Sequence, residues 1–568
     1  MTDQELEEIV VDLRGVGGDH VDVEAKASET ELPRHLWHTL SAFSNSAGGG
    51  VILLGLDERT GFQAVGVRHP NRIQQDLASL CDQMDPPLRV QIRPHRFEGK
   101  TVIVTEVPEV DRGQKPCFYK GAGHLNGSYV RVADGDRKLS SYEVQLLIAS
   151  RGQPRDDEEA VVEASRADLD GLRLAGLLKA VRQRSRSLAD LPDDAALRSL
   201  KVLVAAGDKT VPSLAGLLAL GQRPQQFFPA LCAQLAVYPA EQVGVPGAGA
   251  VRFLDSRSYD GPVASLAGQL LEGIRQHMSR RTLVRGAKRA DEWQYPETAL
   301  REAIVNALVH RDLGAGARGS PVQVQMFPDR LVILNPGGLY GPVTLDRLGE
   351  EGVSAARNAT LMRILEDAPG MDGGPICENR GSGIGAMIHA LRRAGLEPPR
   401  FDDRIATFQV TFPNASLLDD ETVRWLHRFG ERFSESQRLG LALLRHGHVL
   451  DNSTFRQATG LDSRVATREL GELVDGGVID QIGTRRWATY RIASRARQRR
   501  DRRAEIISVL RRRGVLSRKE IARELELSDA TVRQWMTTLR KEGLVQITGP
   551  VRSPFVRYRL RKSGKHGP

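Results

Sequence analysis

Glu302, Asn306 and His310 recur at intervals of four in the stretch REAIVNALVHRD, which runs from Arg301 to Asp312. On a helix that spacing aligns a carboxylate, an amide and an imidazole on one face, while Ile304, Val305, Leu308 and Val309 take the other side. Such a stripe either faces a ligand or faces solvent. Two glycine signals follow in the same segment. Asn335-Pro336-Gly337-Gly338 ends a predicted strand, and Gly381-Ser382-Gly383-Ile384-Gly385 opens a predicted helix. Glycines at a helix start leave backbone N–H groups open to an anion, and the helix dipole favours negative charge there. The chemistry this suggests is phosphate binding.

An E-x-x-x-N helix, a strand–glycine turn and a glycine-rich loop before a helix occur in that order over residues 291–415. This pattern resembles the GHKL ATPases, which include gyrase B, histidine kinases and mismatch-repair ATPases. It resembles more closely the divergent GHKL-type domain of bacterial ATP-binding, regulator-like proteins, where REAIVNALVHRD, NPGGL and GSGI recur. The resemblance implies ATP and Mg²⁺ as cofactors and a slow ATPase reaction. Glu302 would orient or deprotonate the attacking water, and Asn306 would hold the metal against the phosphates. His310 would reach phosphate or cap the polar stripe. Asn335, Gly337 and Gly338 would lie against the adenine, and Gly381, Ser382, Gly383 and Gly385 would wrap the triphosphate. The family usually has an aspartate where Asn335 stands, so recognition of the adenine amino group differs here.

Near the N-terminus, DHVDVEAKASE, SAFSNSAGGGVILLGLDE, KPCFYKG and GSYVRVADGD resemble the AlbA-like domain shared with Schlafen proteins, over about residues 10–150. The resemblance implies nucleic-acid binding, with RNA as a further partner. It also opens an alternative function, a metal-dependent RNase gated by ATP in RNA turnover or phage defence. Asp19, Glu24 and Asp57 would then be the metal-binding carboxylates, with Lys26 beside them. Asp19 and Ala25 depart from the residues usual at those places. Glu24 and Lys26 would otherwise be a surface ion pair.

The C-terminal end repeats itself. LDSRVATRELGELVDGGVI aligns with LSDATVRQWMTTLRKEGLV at an offset of 66, so that Leu461 meets Leu527, Leu473 meets Leu539 and Gly477 meets Gly543. In the second copy Ser517-x-x-Glu520 is a capping box, a second helix runs to Gly543, and a basic hairpin follows. Helix, turn, helix and wing resemble a winged helix–turn–helix. Ala530, Thr531, Arg533 and Gln534 would face bases in the major groove, and Arg552 and Arg557 would meet phosphate. In the first copy Ser463, Arg464, Thr467 and Arg468 take the recognition role, with Arg485 and Arg486 on the wing. Charge agrees. Residues 494–568 hold 21 Lys and Arg against 7 Asp and Glu, a net of +14, which leaves −5 for the rest of a chain whose total is +9. A local surplus of that size is an electrostatic footprint for duplex DNA.

The elements that must position these residues suggest an α/β and α+β multidomain chain of 568 residues. The expected parts are an AlbA/Schlafen-like α/β domain (1–150), a connecting α/β module (160–290) after a polar linker near 152–158, and a GHKL-type α/β sandwich (291–415). Two winged helix–turn–helix domains follow (430–493 and 503–562). Cys81, Cys117, Cys232 and Cys377 are scattered without a CxxC pair, which argues against a zinc site or disulfide framework and suits a reducing cytoplasm. No apolar run reaches the roughly 20 residues of a membrane span. The combined expectation is a cytoplasmic, homo-oligomeric, ATP-binding regulator of transcription that binds double-stranded DNA through its C-terminal domains.

Overall fold

The structure is a computed structural model. It describes the chain apart from residues 20, 134, 246–250, 286–287, 351, 371–373, 375, 378–380, 382, 415–416, 418–419, 428, 430–432, 484–487, 494–502, 526–531, 534, 537–538, 541–543, 549–555 and 562–568. Two compact units are present, one comprising residues 1–474 and 481–491, the other residues 475–480 and 492–568.

The larger unit begins with helix α1 (Asp3–Val16), closed at its start by a capping box between Thr2 and Glu5. Strands β1 (Val23–Lys26), β2 (Gly50–Leu54), β3 (Gln91–Phe97) and β4 (Lys100–Val107) form a sheet in the order β1-β2-β4-β3. β2 is buried throughout, as a continuous apolar run predicts. Between β1 and β2 lies α2 (Leu36–Asn45). The stretch VQIRPHRFEGKTVIVTEVPE predicts a hairpin around Glu98-Gly99, and the β3–β4 turn falls there, with both residues at positive φ. A second hairpin, β5 (Tyr129–Val132) with β6 (Gly135–Lys138), packs against α2.

A six-stranded sheet dominates the rest of this unit. Its strands are β7 (Ala233–Val237), β8 (Asp255–Tyr259), β9 (Val322–Met326), β10 (Arg330–Pro336), β11 (Arg400–Asp403) and β12 (Thr407–Pro413), in the order β8-β7-β9-β10-β12-β11. β7 pairs in parallel with β9, and the chain crosses between them through α3 (Val263–His277) and α4 (Glu297–Val309). The boundary expected at 290–291 therefore falls inside this sheet domain. One buried cluster runs from Val161 to Phe412, so 160–290 and 291–415 share a core. The stretch 152–158, expected to be a linker, is docked. Buried Asp157 accepts from the N–H groups of Thr360 and Leu361 at 2.8 and 3.0 Å, capping α5 (Ala359–Asp367). Asn358, at the formal cap position, makes no side-chain cap bond; its amide nitrogen donates to Val309 O and Arg311 O at 2.7 and 2.8 Å.

The layer facing the sheet is completed by α6 (Gly383–Arg393). Beyond it come α7 (Glu435–Arg445), α8 (Asn452–Thr459) and α9 (Ser463–Asp475), with Leu450 pairing across a short strand to Tyr490. The smaller unit contains α10 (Arg503–Arg513), α11 (Arg518–Glu524) and a three-stranded sheet built from Leu516–Ser517, Val545–Thr548 and Arg557–Leu560. Val532, Met536 and Leu539 share its buried core with Ile506, Leu510 and Ile521. Among the described residues, no helix is long and apolar enough to cross a membrane.

Candidate functional site

α4 is held by its apolar back, with Ala299, Leu300, Ile304, Val305, Leu308 and Val309 buried. Its polar stripe does not face solvent. Glu302, Asn306 and His310, with Ala303 and Ala307 between them, line a cavity of about 1190 Å³ that includes its open mouth. The floor of the cavity is the face of the large sheet. Ile333 and Asn335 of β10 lie there directly across from Val410 and Phe408 of β12. Gly383, Ile384 and Met387 of α6 form the opposite wall, and Leu348, Gly349, Val353 and Ser354 edge the mouth.

Asn306 Nδ2 donates to Glu302 Oε1 at 3.0 Å. A Cβ at Gly383 would overlap that same carboxylate, so the glycine is what lets α6 begin against Glu302. His310 ends α4, and its N–H bonds Asn306 O at 2.9 Å. Burial, reinforced by the Arg357 guanidinium, lowers its pKa to about 4, so the ring is neutral at neutral pH. Asn335 is buried, and its Oδ1 meets no hydrogen-bond partner among the described residues. A buried polar acceptor of this kind costs stability unless something satisfies it.

The structure brings seven predicted positions to one cavity: Glu302, Asn306, His310, Asn335, Gly338, Gly381 and Gly383. Gly337 and Gly385 are not among the lining residues. Gly337 serves the turn instead: its φ is 91°, and a Cβ there would lie 2.8 Å from Asp312 Cβ. Ser382 lies outside the described residues.

The sequence reading missed the residues behind the Gly337-Gly338 turn. Buried Arg357 donates to Gly338 O at 3.0 Å and pairs with Asp312 at 3.9 Å. Asp403 accepts from Leu339 N at 3.3 Å and pairs with Arg112 of the N-terminal domain at 2.8 Å. Asp312 closes the quoted motif, but the partners that give it a role lie far away in the chain.

In the N-terminal domain the three candidate carboxylates take different roles. Glu24 is buried and paired on both sides, with Lys26 at 2.5 Å and Arg131 at 2.7 Å. Arg131 also pairs with Asp136 at 3.0 Å. Asp19 accepts from Ala25 N at 3.1 Å; burial, then the nearby Glu24 carboxylate, raise its pKa to about 7. Asp57 caps a short turn by accepting from Arg59 N, and it is the neighbouring Glu58, after Glu24, that adds to the negative charge near Asp19. Among the described residues, no three His, Cys, Asp or Glu side chains form a group that could hold a metal ion.

The exposed face of α9 presents Ser463, Arg464, Thr467 and Arg468. In the smaller unit Arg533 is exposed, and Arg557 pairs with Glu520 at 3.6 Å. Ala530, Thr531, Gln534 and Arg552, like Arg485 and Arg486, lie outside the described residues.

Three family models match separate parts of the chain. Residues 18–140 match the family model described as "Schlafen, AlbA_2", residues 319–412 the model HATPase_c_4, "Putative ATP-dependent DNA helicase recG C-terminal", and residues 500–546 the model "Bacterial regulatory protein, arsR family". No curated protein matches the chain. Among solved structures, the DIP2311 protein from Corynebacterium diphtheriae is similar at 18% identity, covering 95% of this chain and 94% of that one, with a TM-score of 0.35. The N-terminal domain of a RecG-related protein from Nitrosomonas europaea is similar at 28% identity over 24% of this chain and 94% of that one, with a TM-score of 0.20. RV1404 from Mycobacterium tuberculosis is similar at 20% identity over 23% and 85%, with a TM-score of 0.12. The chain thus combines a Schlafen/AlbA_2 domain, an ATPase-like domain whose matched residues line part of the cavity, and a C-terminal helix–turn–helix domain.

Proposed function

We propose that the chain is a DNA-binding regulatory protein, acting on transcription in the cytoplasm, whose hold on duplex DNA is modulated by ATP·Mg²⁺ in the GHKL-type cavity. The observation that carries the modulation is a pair of contacts at the cavity mouth. Gln457 of α8 donates to Leu345 O at 2.8 Å, and Arg456 of α8 pairs with Glu350. Leu348 and Gly349, between those two anchors, line the cavity. α8 is the helix immediately before α9, so a ligand that moves the mouth pulls on the helix that presents Ser463, Arg464, Thr467 and Arg468.

The residues fit the ligand. The Glu302 carboxylate and the Asn306 amide oxygen are adjacent hard donors of the kind Mg²⁺ prefers, and the metal would neutralise phosphate charge. Glu302 accepts from Asn306 and is placed to orient or deprotonate a water. Asn335 supplies a buried amide where a base edge would lie. Neutral His310 can donate to phosphate without adding charge. Gly381 and Gly383 leave room for backbone approach.

The test is duplex binding by fluorescence anisotropy, with and without ATP·Mg²⁺, in the parent and in Arg456→Ala. Affinity should change with nucleotide in the parent and stay flat in the variant. Equal DNA affinity in the parent under both conditions would refute the modulation, and no nucleotide binding at millimolar concentration would refute the site.

A further inference from the structure

We propose that the N-terminal domain carries a base-stacking shelf for single-stranded nucleic acid, formed by His35, Trp37, His38, Tyr119 and Tyr129. The inference deepens the reading of this domain as nucleic-acid-binding and does not depend on the ATP cavity.

α2 is buried along almost its whole length, at Leu36 and from Thr39 to Asn45. Trp37 and His38 are its half-buried residues, and His35 stands exposed at its cap. The rings of His35 and His38 stack at 5.0 Å with 19° between planes, and those of His38 and Tyr129 at 4.2 Å with 16°. That is a ladder of three near-parallel rings. Trp37 meets His38 and Tyr129 edge-on, at 4.0 and 5.5 Å, and stacks on Tyr119 at 5.0 Å. Three segments well separated in the chain thus deliver five rings to one patch. Trp37 and Tyr119 also rest on a buried cluster that includes Leu36, Leu40 and Phe43, so the shelf is held from beneath. Rings fixed before a ligand arrives lose little freedom on binding.

The surrounding charge suits a phosphate backbone. Lys138 is the cross-strand partner of Tyr129, on the same face of the hairpin, and Arg34 and Lys120 are exposed beside His35 and Tyr119. Asp136, the hairpin's own carboxylate, is engaged by Arg131 at 3.0 Å and by the Thr39 hydroxyl at 2.7 Å. Burial holds His38 below its usual pKa, so the ring joins His35 to Tyr129 in the ladder without adding a charge. Every base has a π-face, and aromatic platforms with basic edges bind unstacked strands with little sequence preference. The bases of a duplex are already stacked on one another and do not fit such a shelf.

The experiment uses the full chain, a labelled single-stranded oligoadenylate in ribo and deoxy forms, and excess unlabelled duplex to occupy the helix–turn–helix surfaces. Trp37→Leu, which keeps an apolar seat, should weaken single-strand binding about tenfold. The exposed changes His35→Ala and Lys138→Glu should weaken it in the same direction, with melting curves and duplex affinity unchanged. A preference for the ribo form would identify RNA as the natural strand, and equal affinities would identify single strands of either kind. If single-strand binding persists under duplex competition but none of the three variants alters it, the shelf is overturned while the domain still binds nucleic acid elsewhere. If duplex competes all single-strand binding away, the shelf and that reading fall together.

Discussion

Gly383 and Gly385 are equivalent members of one glycine motif in the sequence, yet only Gly383 should be sensitive to substitution. A Cβ at Gly383 would occupy the place of the Glu302 carboxylate, whereas at Gly385 the nearest atom is Gly349 O at 4.0 Å. Neither glycine has a left-handed φ, so alanine is tolerated by the backbone at both, and helix propensity favours it by up to about 1 kcal/mol. Gly383→Ala must swing the Glu302 side chain aside and break the 3.0 Å bond from Asn306. Hydrogen bonds to a charged group contribute about 1.5–3 kcal/mol. If that bond positions the metal-facing amide, nucleotide affinity should fall by about ten- to a hundredfold. Calorimetric titration with a non-hydrolysable ATP analogue and Mg²⁺ measures this, and a thermal melt shows whether the fold is intact. Gly383→Ala should bind poorly and stay folded, while Gly385→Ala should match the parent in affinity and melt at or slightly above it. Parental affinity in Gly383→Ala, or equal losses in the two variants, would refute the geometry.

Four further outcomes follow from other features of the chain. His310 is held neutral with a pKa of about 4 against about 6.5 when unfolded, so as pH falls from 6.5 to 4 the unfolded chain takes up the proton first; up to about 3 kcal/mol of stability should drain away over that window. His310→Gln should flatten the loss in pH-dependent denaturation, and an unchanged slope would contradict the burial of this ring. Glu24→Ala leaves buried Arg131 without one of its two carboxylates and should cost about 3 kcal/mol in a urea melt. The parent should leave structured RNA intact with Mg²⁺ or Mn²⁺; cleavage that Glu24→Ala stops while nucleotide binding survives would restore the nuclease alternative. Deleting 494–568 removes a net +14 and should abolish most duplex binding, which in the full chain should fall steeply with added salt; undiminished affinity in the truncated protein would place the DNA surface elsewhere.

What could be read from sequence was whatever local period and turn chemistry determine. The Glu302–Asn306–His310 stripe, the Glu98-Gly99 hairpin and the Ser517–Glu520 capping box each rest on residues within a few positions of one another, and each is present. What escaped depends on pairing at long range. Nothing local in Ala233–Val237 reveals that it runs parallel to Val322–Met326, so the sheet domain was divided at 290 although its core is continuous. The charged look of 152–158 suggested a linker because Asp157 is polar, yet its carboxylate is used to cap a helix two hundred residues on.

The same distinction explains why the cavity has features that a motif alone cannot supply. The motif residues make its inner walls, but its turn and its mouth are fixed from outside. Arg112 of the Schlafen/AlbA_2 domain reaches Asp403, which holds Leu339, and α8 holds Leu345 and Glu350. A site with all its walls within one domain could bind nucleotide and leave its neighbours unmoved. Here two parts of the cavity lining are tied to flanking segments by ion pairs and hydrogen bonds that a shift of about one ångström would break. A ligand changes a conformational balance only through contacts that differ between the two states. These two parts are where such a difference can arise. If nucleotide acts at both, Arg112→Ala and Arg456→Ala should each raise or lower nucleotide affinity independently, because the two anchors share no residue. Measured together in the double variant, their effects should add; strong non-additivity would mean that the two parts move as one body rather than as two separate couplings.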